Sequence, residues 1–148
     1  AENDCESSLK IDDRKGQLRW NTILDNVLLD VLGEAAREGK KTGKKWDTTV
    51  WNNLLATLSN KANETVRSTH VDNRIRQMRN EFNNFVELKK KSGLSYDPAK
   101  QTIIASNEYW KELLSNPKDN KRFKAFKDRG LKWDYEKLSL VIGNAYAT

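Results

Sequence analysis

Cysteine, histidine and proline are almost absent from this chain of 148 residues. One cysteine, Cys5, excludes an intrachain disulfide framework and any Cys-based zinc site. One histidine, His70, has neither the cysteine nor the second histidine that a zinc site requires, and at a helix start it reads as a surface residue. No apolar run approaches the roughly 20 residues of a membrane span. The opening Ala1-Glu2-Asn3-Asp4 reads neither as a signal peptide nor as a basic transit sequence, so a soluble intracellular protein is expected. Phosphate-loop chemistry is also missing. Gly39-Lys40-Lys41-Thr42-Gly43-Lys44-Lys45 has its glycines one residue too close, Lys45 where Ser or Thr is needed, and no strand before it.

What the chain has in excess is positive charge. There are 27 Lys and Arg against 21 Asp and Glu, a net +6 with a sequence pI near 9.4, which favours a polyanionic partner. The charge is unevenly spread. Residues 1–13 hold five acids and Lys10, net −4, without an apolar period, and residues 1–16 are expected to form a flexible acidic arm. Three stretches carry the cations. Residues 37–45 have five against Glu38, residues 66–91 seven against three acids, and residues 118–132 seven against two. The first and last of these are expected to be basic loops, the first mobile.

Hydrophobic residues recur at helical steps. Ile23, Leu24, Val27, Leu28, Val31, Leu32 and Ala35 form one face of a first helix, with Thr22 and Asp25 as a weak capping box and Gly39 as its stop. Val50, Trp51, Leu54, Leu55, Leu58 and Ala62 form a second, capped by Asp47 or Thr48. A third begins near Thr69 and buries Val71, Ile75, Met78, Phe82, Phe85 and Val86, ending around Ser92-Gly93. Beyond Gly93 the pattern predicts a turn at Leu94 to Pro98, an extended piece over 101–105, a short helix from Glu108 to Leu114 stopped at Asn116-Pro117, and a last amphipathic segment closed by Gly143. The expected fold is all-α: a three-helix domain over 17–93 with a mostly helical extension over 94–148 packed on it.

The third helix has an unusual outer face. At 100° per residue from Val71, its apolar residues fall within about 40°, while Asn73, Arg76, Gln77, Asn80 and Asn84 fall between roughly 140° and 240°. Asn, Gln and Arg are the side chains that make bidentate contacts to adenine and guanine edges in a major groove. A merely solvated face would more often carry Glu/Lys pairs. Arg74 and Arg79 lie on the flanks, and Lys89 and Lys90 at the end can meet phosphates.

At this point the chain resembles the Myb/SANT-like DNA-binding domains of plants and fungi, many related to accessory proteins of PIF/Harbinger-type transposons. The residues that carry the resemblance are Arg19-Trp20, Gly43-Lys44-Lys45-Trp46, Trp51, Asn73-Arg74, Met78-Arg79, Leu94-Ser95-Tyr96-Asp97, Trp110 and the ending Leu131 to Gly143. It implies a nuclear, helix-turn-helix-like DNA-binding module of a transcriptional regulator or transposon-derived protein, with the third helix as reader.

The expected base-reading residues are Asn73, Arg76, Gln77 and Asn80. The expected phosphate contacts are Lys40, Lys41, Lys44, Lys45, Arg74, Arg79, Lys89 and Lys90. The partner is double-stranded DNA. RNA is disfavoured because an A-form major groove does not readily admit a helix. A rival reading makes the chain a protein-interaction module recruiting a transposase or chromatin factor, with Trp110, Trp133 and Tyr135 as interface anchors. No two-carboxylate, nucleophile or metal pattern stands out, so neither catalysis, nor a cofactor, nor a small-molecule substrate is expected.

Overall fold

The computed structural model describes residues 17–43 and 45–142. The acidic arm with Cys5, Lys44 and Gly143 lie outside the described residues. Helix α1, Thr22–Arg37, starts one step away from the expected capping box. Extended Asn21 is the N-cap, its Oδ1 accepting the Leu24 N–H at 2.9 Å, while Asp25 turns inward and is buried. Gly39, at φ +73, turns the chain out of the helix into a two-stranded hairpin, β1 (Lys41–Thr42) and β2 (Lys45–Trp46). A short ladder pairing Lys41 with Trp46 therefore replaces the expected loop. Helix α2, Thr48–Ala62, is capped by Asp47, whose carboxylate accepts the N–H groups of Thr49 and Val50, and it ends on left-handed Asn63.

Helix α3 runs Ser68–Lys89. Strands β3 (Ser95–Asp97) and β4 (Thr102–Ile104) follow as a second antiparallel hairpin. Helices α4 (Asn107–Leu113), α5 (Pro117–Phe123), α6 (Ala125–Asp128) and α7 (Tyr135–Ile142) follow among the described residues. The described residues are thus helix-rich, 63% helical, and not purely all-α.

The largest departure from the sequence reading is 118–132, expected as a loop. Pro117 does not only stop what precedes it. It occupies the first turn of α5, where its missing N–H costs nothing, and Asn116 caps the turn through the Lys118 N–H at 2.9 Å. Phe123 and Phe126, three residues apart, then point into the core at 0% and 3% exposure. The surrounding lysines stay in water.

One buried cluster extends from Leu24 on α1 to Ile142 on α7. Helix α1 packs on α2 and α7, and α3 packs on α7 and α5, so α7 touches both α1 and α3. Phe85 shows why the extension matters. Its ring is fully buried, and Tyr96, Phe126 and Tyr135 surround it at centroid distances of 5.8, 5.2 and 6.3 Å, all from beyond residue 93. The segment leading into α7 is fastened by Gln101, which donates to the Trp133 carbonyl at 2.8 Å and accepts the Tyr135 N–H at 2.7 Å. Gly130 permits this approach, since a Cβ there would lie 2.6 Å from the Gln101 carbonyl oxygen.

Two consequences are measurable by urea unfolding. Phe85→Ala should cost about 3–5 kcal/mol, because it removes a large side chain and leaves a cavity that three fixed rings cannot close. A chain ending at Ser92 should lose its cooperative transition, whereas a sharp transition in that chain would show that α1–α3 are self-sufficient.

Candidate nucleic-acid interface

The turn between α2 and α3 is held by side chains. The Ser59 hydroxyl accepts the Val66 N–H at 2.8 Å, and the Trp51 indole donates to the Ser68 hydroxyl at 2.9 Å, fixing the start of α3 to α2. His70 is buried rather than a surface residue. Its Nδ1 accepts the Arg67 N–H at 2.9 Å, which satisfies one of the orphan donors at the helix entrance. The two helices and their turn form a braced helix-turn-helix-like unit.

Asn73, Arg76, Gln77 and Asn80 are all exposed on the outer face of α3, opposite the buried Val71, Ile75, Met78, Phe82 and Phe85. Two of the amides are already oriented. Arg76 donates to the Asn73 oxygen at 3.1 Å, and Arg74 donates to the Gln77 oxygen at 2.7 Å. Both amide nitrogens are left pointing away from those bonds as donors.

Arg74 does not join this face. Its guanidinium grips Asp25 with two bonds, Nε to Oδ1 at 2.9 Å and Nη2 to Oδ2 at 2.8 Å, and both side chains are nearly buried. The rings of Trp20 and Trp133 lie 5.5 and 5.1 Å from it. The Trp133 indole donates to the same Asp25 carboxylate at 3.0 Å. Arg74 is therefore spent inside the protein instead of standing ready for phosphate.

The expected phosphate lysines divide in the same way. Lys89 lies over the rings of Tyr96 and Tyr135 at 4.3 and 4.7 Å. Lys41 donates to the Val141 carbonyl at the end of α7 at 3.1 Å and lies over Trp46. Burial, and then the nearby Arg79 charge, hold the Lys41 ammonium below the usual lysine range. Lys40 is exposed and paired with Glu38 at 3.0 Å, whose hydrogen bond and charge raise its pKa. Lys45 and Lys90 are exposed, Lys90 lying 4.0 Å from Glu87, and Arg79 is half-buried on the flank of α3.

Of the three interface anchors, Trp110 and Trp133 are buried at 4% and 7% exposure. Tyr135 is half-buried, its ring 5.3 Å from that of Phe82. Two residues outside the expected site also bear on it: Asp25, expected as a cap, and Arg122, whose Nε donates to Asn84 on the outer side of α3 at 3.1 Å. The spacing of Lys118, Lys121 and Arg122 on one helical face was the available signal for the latter.

Compared with known families, residues 19–113 match the Myb/SANT-like DNA-binding domain family, well over half of the chain. No curated protein and no solved structure matches it.

The Asp25–Arg74 pair has a testable weight. Asp25→Ala should cost about 3–5 kcal/mol, since it strands a guanidinium in the protein, and Arg74→Met added to it should restore much of the loss. Thermal or urea unfolding of the two variants checks this. Equal instability of single and double variants would count against a stranded charge as the cause.

Proposed function

The chain belongs to the Myb/SANT-like DNA-binding domain family, and from that premise we propose that it reads double-stranded DNA by laying α3 in the major groove. The observation that carries this reading is the exposed stripe Asn73, Arg76, Gln77 and Asn80 on a helix braced at its entrance by α2. Arg76 is suited to the O6 and N7 acceptors of guanine. Arg79 on the flank of α3, together with the exposed Lys40, Lys45 and Lys90, would neutralise phosphates, which sets the register of the helix without reading sequence. The role is binding without catalysis, in the nucleus, as part of a transcriptional regulator or transposon-derived protein.

The rival use as a protein-recruiting module draws less support. Two of its three aromatic anchors, Trp110 and Trp133, are packed into the core and unavailable to a partner without unfolding.

Gln77 makes the reading more specific. Its oxygen accepts from Arg74, which is itself held by Asp25, so the amide has a fixed direction and keeps its N–H donors and the oxygen's second lone pair. Bidentate recognition of adenine needs a donor and an acceptor together. The oriented Gln77 retains both, the pair that N6 and N7 of adenine require.

Selection from a randomised duplex pool, followed by anisotropy titration at several salt concentrations, tests the proposal. A recovered site bound at least about a thousandfold more tightly than random DNA is expected. Arg76→Ala should then cost about 1–3 kcal/mol on that site and little on random duplex, while Lys45→Gln should weaken both and reduce the salt slope by about 0.9. Gln77→Glu keeps the bond to Arg74 but loses its donors, and should shift the preference at one base pair toward cytosine N4. Equal losses on every sequence for Arg76→Ala would remove it from the reading set.

A further inference from the structure

We propose that the outer face of α5, carrying Lys118, Lys121 and Arg122, is a second backbone clamp that holds the duplex where it leaves the reading stripe. The inference rests on the reading of α3 as the groove helix and extends it to a part of the chain beyond the family match, which stops at residue 113.

The placement comes from one bond. Arg122 donates to Asn84 at 3.1 Å, and Asn84 lies only about 20° around α3 from Asn73 at 100° per residue. The two are eleven positions apart, so Arg122 sits on the line of the stripe about 16 Å further along the helix axis. A major groove is about 12 Å wide, and it winds around the duplex axis away from a straight helix lying in it. Groups at that distance meet the sugar–phosphate backbone rather than base edges.

The local chemistry fits that position. On α5, Lys118 lies about 40° from Arg122 and Lys121 about 100° from it, whereas Phe123 lies on the other side and is fully buried. The buried ring fixes the direction in which the three cations face. Lys118 and Lys121 are exposed, and their ammonium groups have no acidic partner among the described residues. Arg129 nearby is bound by both oxygens of Glu81 at 3.0 Å, whereas Lys124 and Lys127 are exposed and have no acidic partner among the described residues. The rim on α5 is aligned with the stripe and unneutralised among the described residues, and a polyanionic backbone is its complement.

The test uses the full chain with Lys118→Gln and Lys121→Gln together, on two duplexes. One carries the selected site in about 20 base pairs, and the other is trimmed to the base pairs beneath the stripe. Two lost phosphate contacts should lower the salt slope by about 1.8 on the long duplex, leave it unchanged on the trimmed one, and keep the sequence preference intact. Thermal melting should coincide with that of the unmodified protein, since neither side chain has a bonding partner to lose among the described residues.

An unchanged slope on the long duplex, with Arg76→Ala still losing the preferred site, overturns the clamp and leaves the α3 reading standing. An equal loss on both duplexes also overturns it, because it reports general charge rather than position. If the unmodified protein binds neither duplex, the reading of α3 and the clamp fall together.

Discussion

The carboxylate of Asp25 is the point on which the rest of the molecule depends. It is buried on α1, and it accepts two bonds from Arg74 on α3 and one from the Trp133 indole just before α7. A carboxylate withdrawn from water is costly unless its lone pairs are used, and here three charge-matched or polar donors use them. Trp20 and Trp133 shield the guanidinium on the remaining side. Three segments far apart in sequence are thereby held in one geometry. The outer face of α3 inherits that geometry, because the same guanidinium goes on to hold the Gln77 oxygen.

The role of the carboxy-terminal part follows from the same packing. The family match ends at Leu113, yet the buried cluster continues through Phe123, Phe126, Leu131, Trp133, Leu138, Val141 and Ile142. Helix α3 is 22 residues long, about 33 Å, and the rings around Phe85 in its second half come from the extension. A short three-helix unit has little core to support so long a helix. The hairpin β3–β4 and helices α5 to α7 supply the missing apolar partners. They also place a basic rim beside the second half of α3 through Arg122 and Asn84.

Much of this was legible in the chain. The stripe of Val71, Ile75, Met78, Phe82 and Phe85 is read from its 3.6-residue period alone, and the exposed amide face follows as its complement. Asp47 as a cap and Gly39 as a turn are local chemistry, visible within a few residues. The Asp25–Arg74–Trp133 contact was not legible, because 49 and 108 positions separate the partners and nothing local marks them. Asp25 also sits where a capping acid belongs, so its nearest explanation was the wrong one. The helices α5 and α6 were hidden by charge. Among so many lysines, two phenylalanines three residues apart are too brief a period to stand out, though burying them is enough to fold the segment.

The distribution of cations carries the last step. Were α3 to grip DNA by charge alone, its outer face would be expected to hold lysines, yet the stripe holds three amides and one guanidinium. Phosphate contacts give affinity to any sequence, while base edges are told apart by the direction of donors and acceptors. Direction is worth little on a freely rotating side chain, since fixing it on binding costs rotamer entropy. Here Asn73 and Gln77 are each held through their oxygens by an arginine, and the arginine holding Gln77 is locked by the buried Asp25. The entropy of orienting Gln77 is therefore lost when the protein folds rather than when it meets DNA. Folding stability and the orientation of Gln77 share one hydrogen-bond chain, which runs from the Trp133 indole to Asp25, to Arg74, and out to Gln77 on the surface.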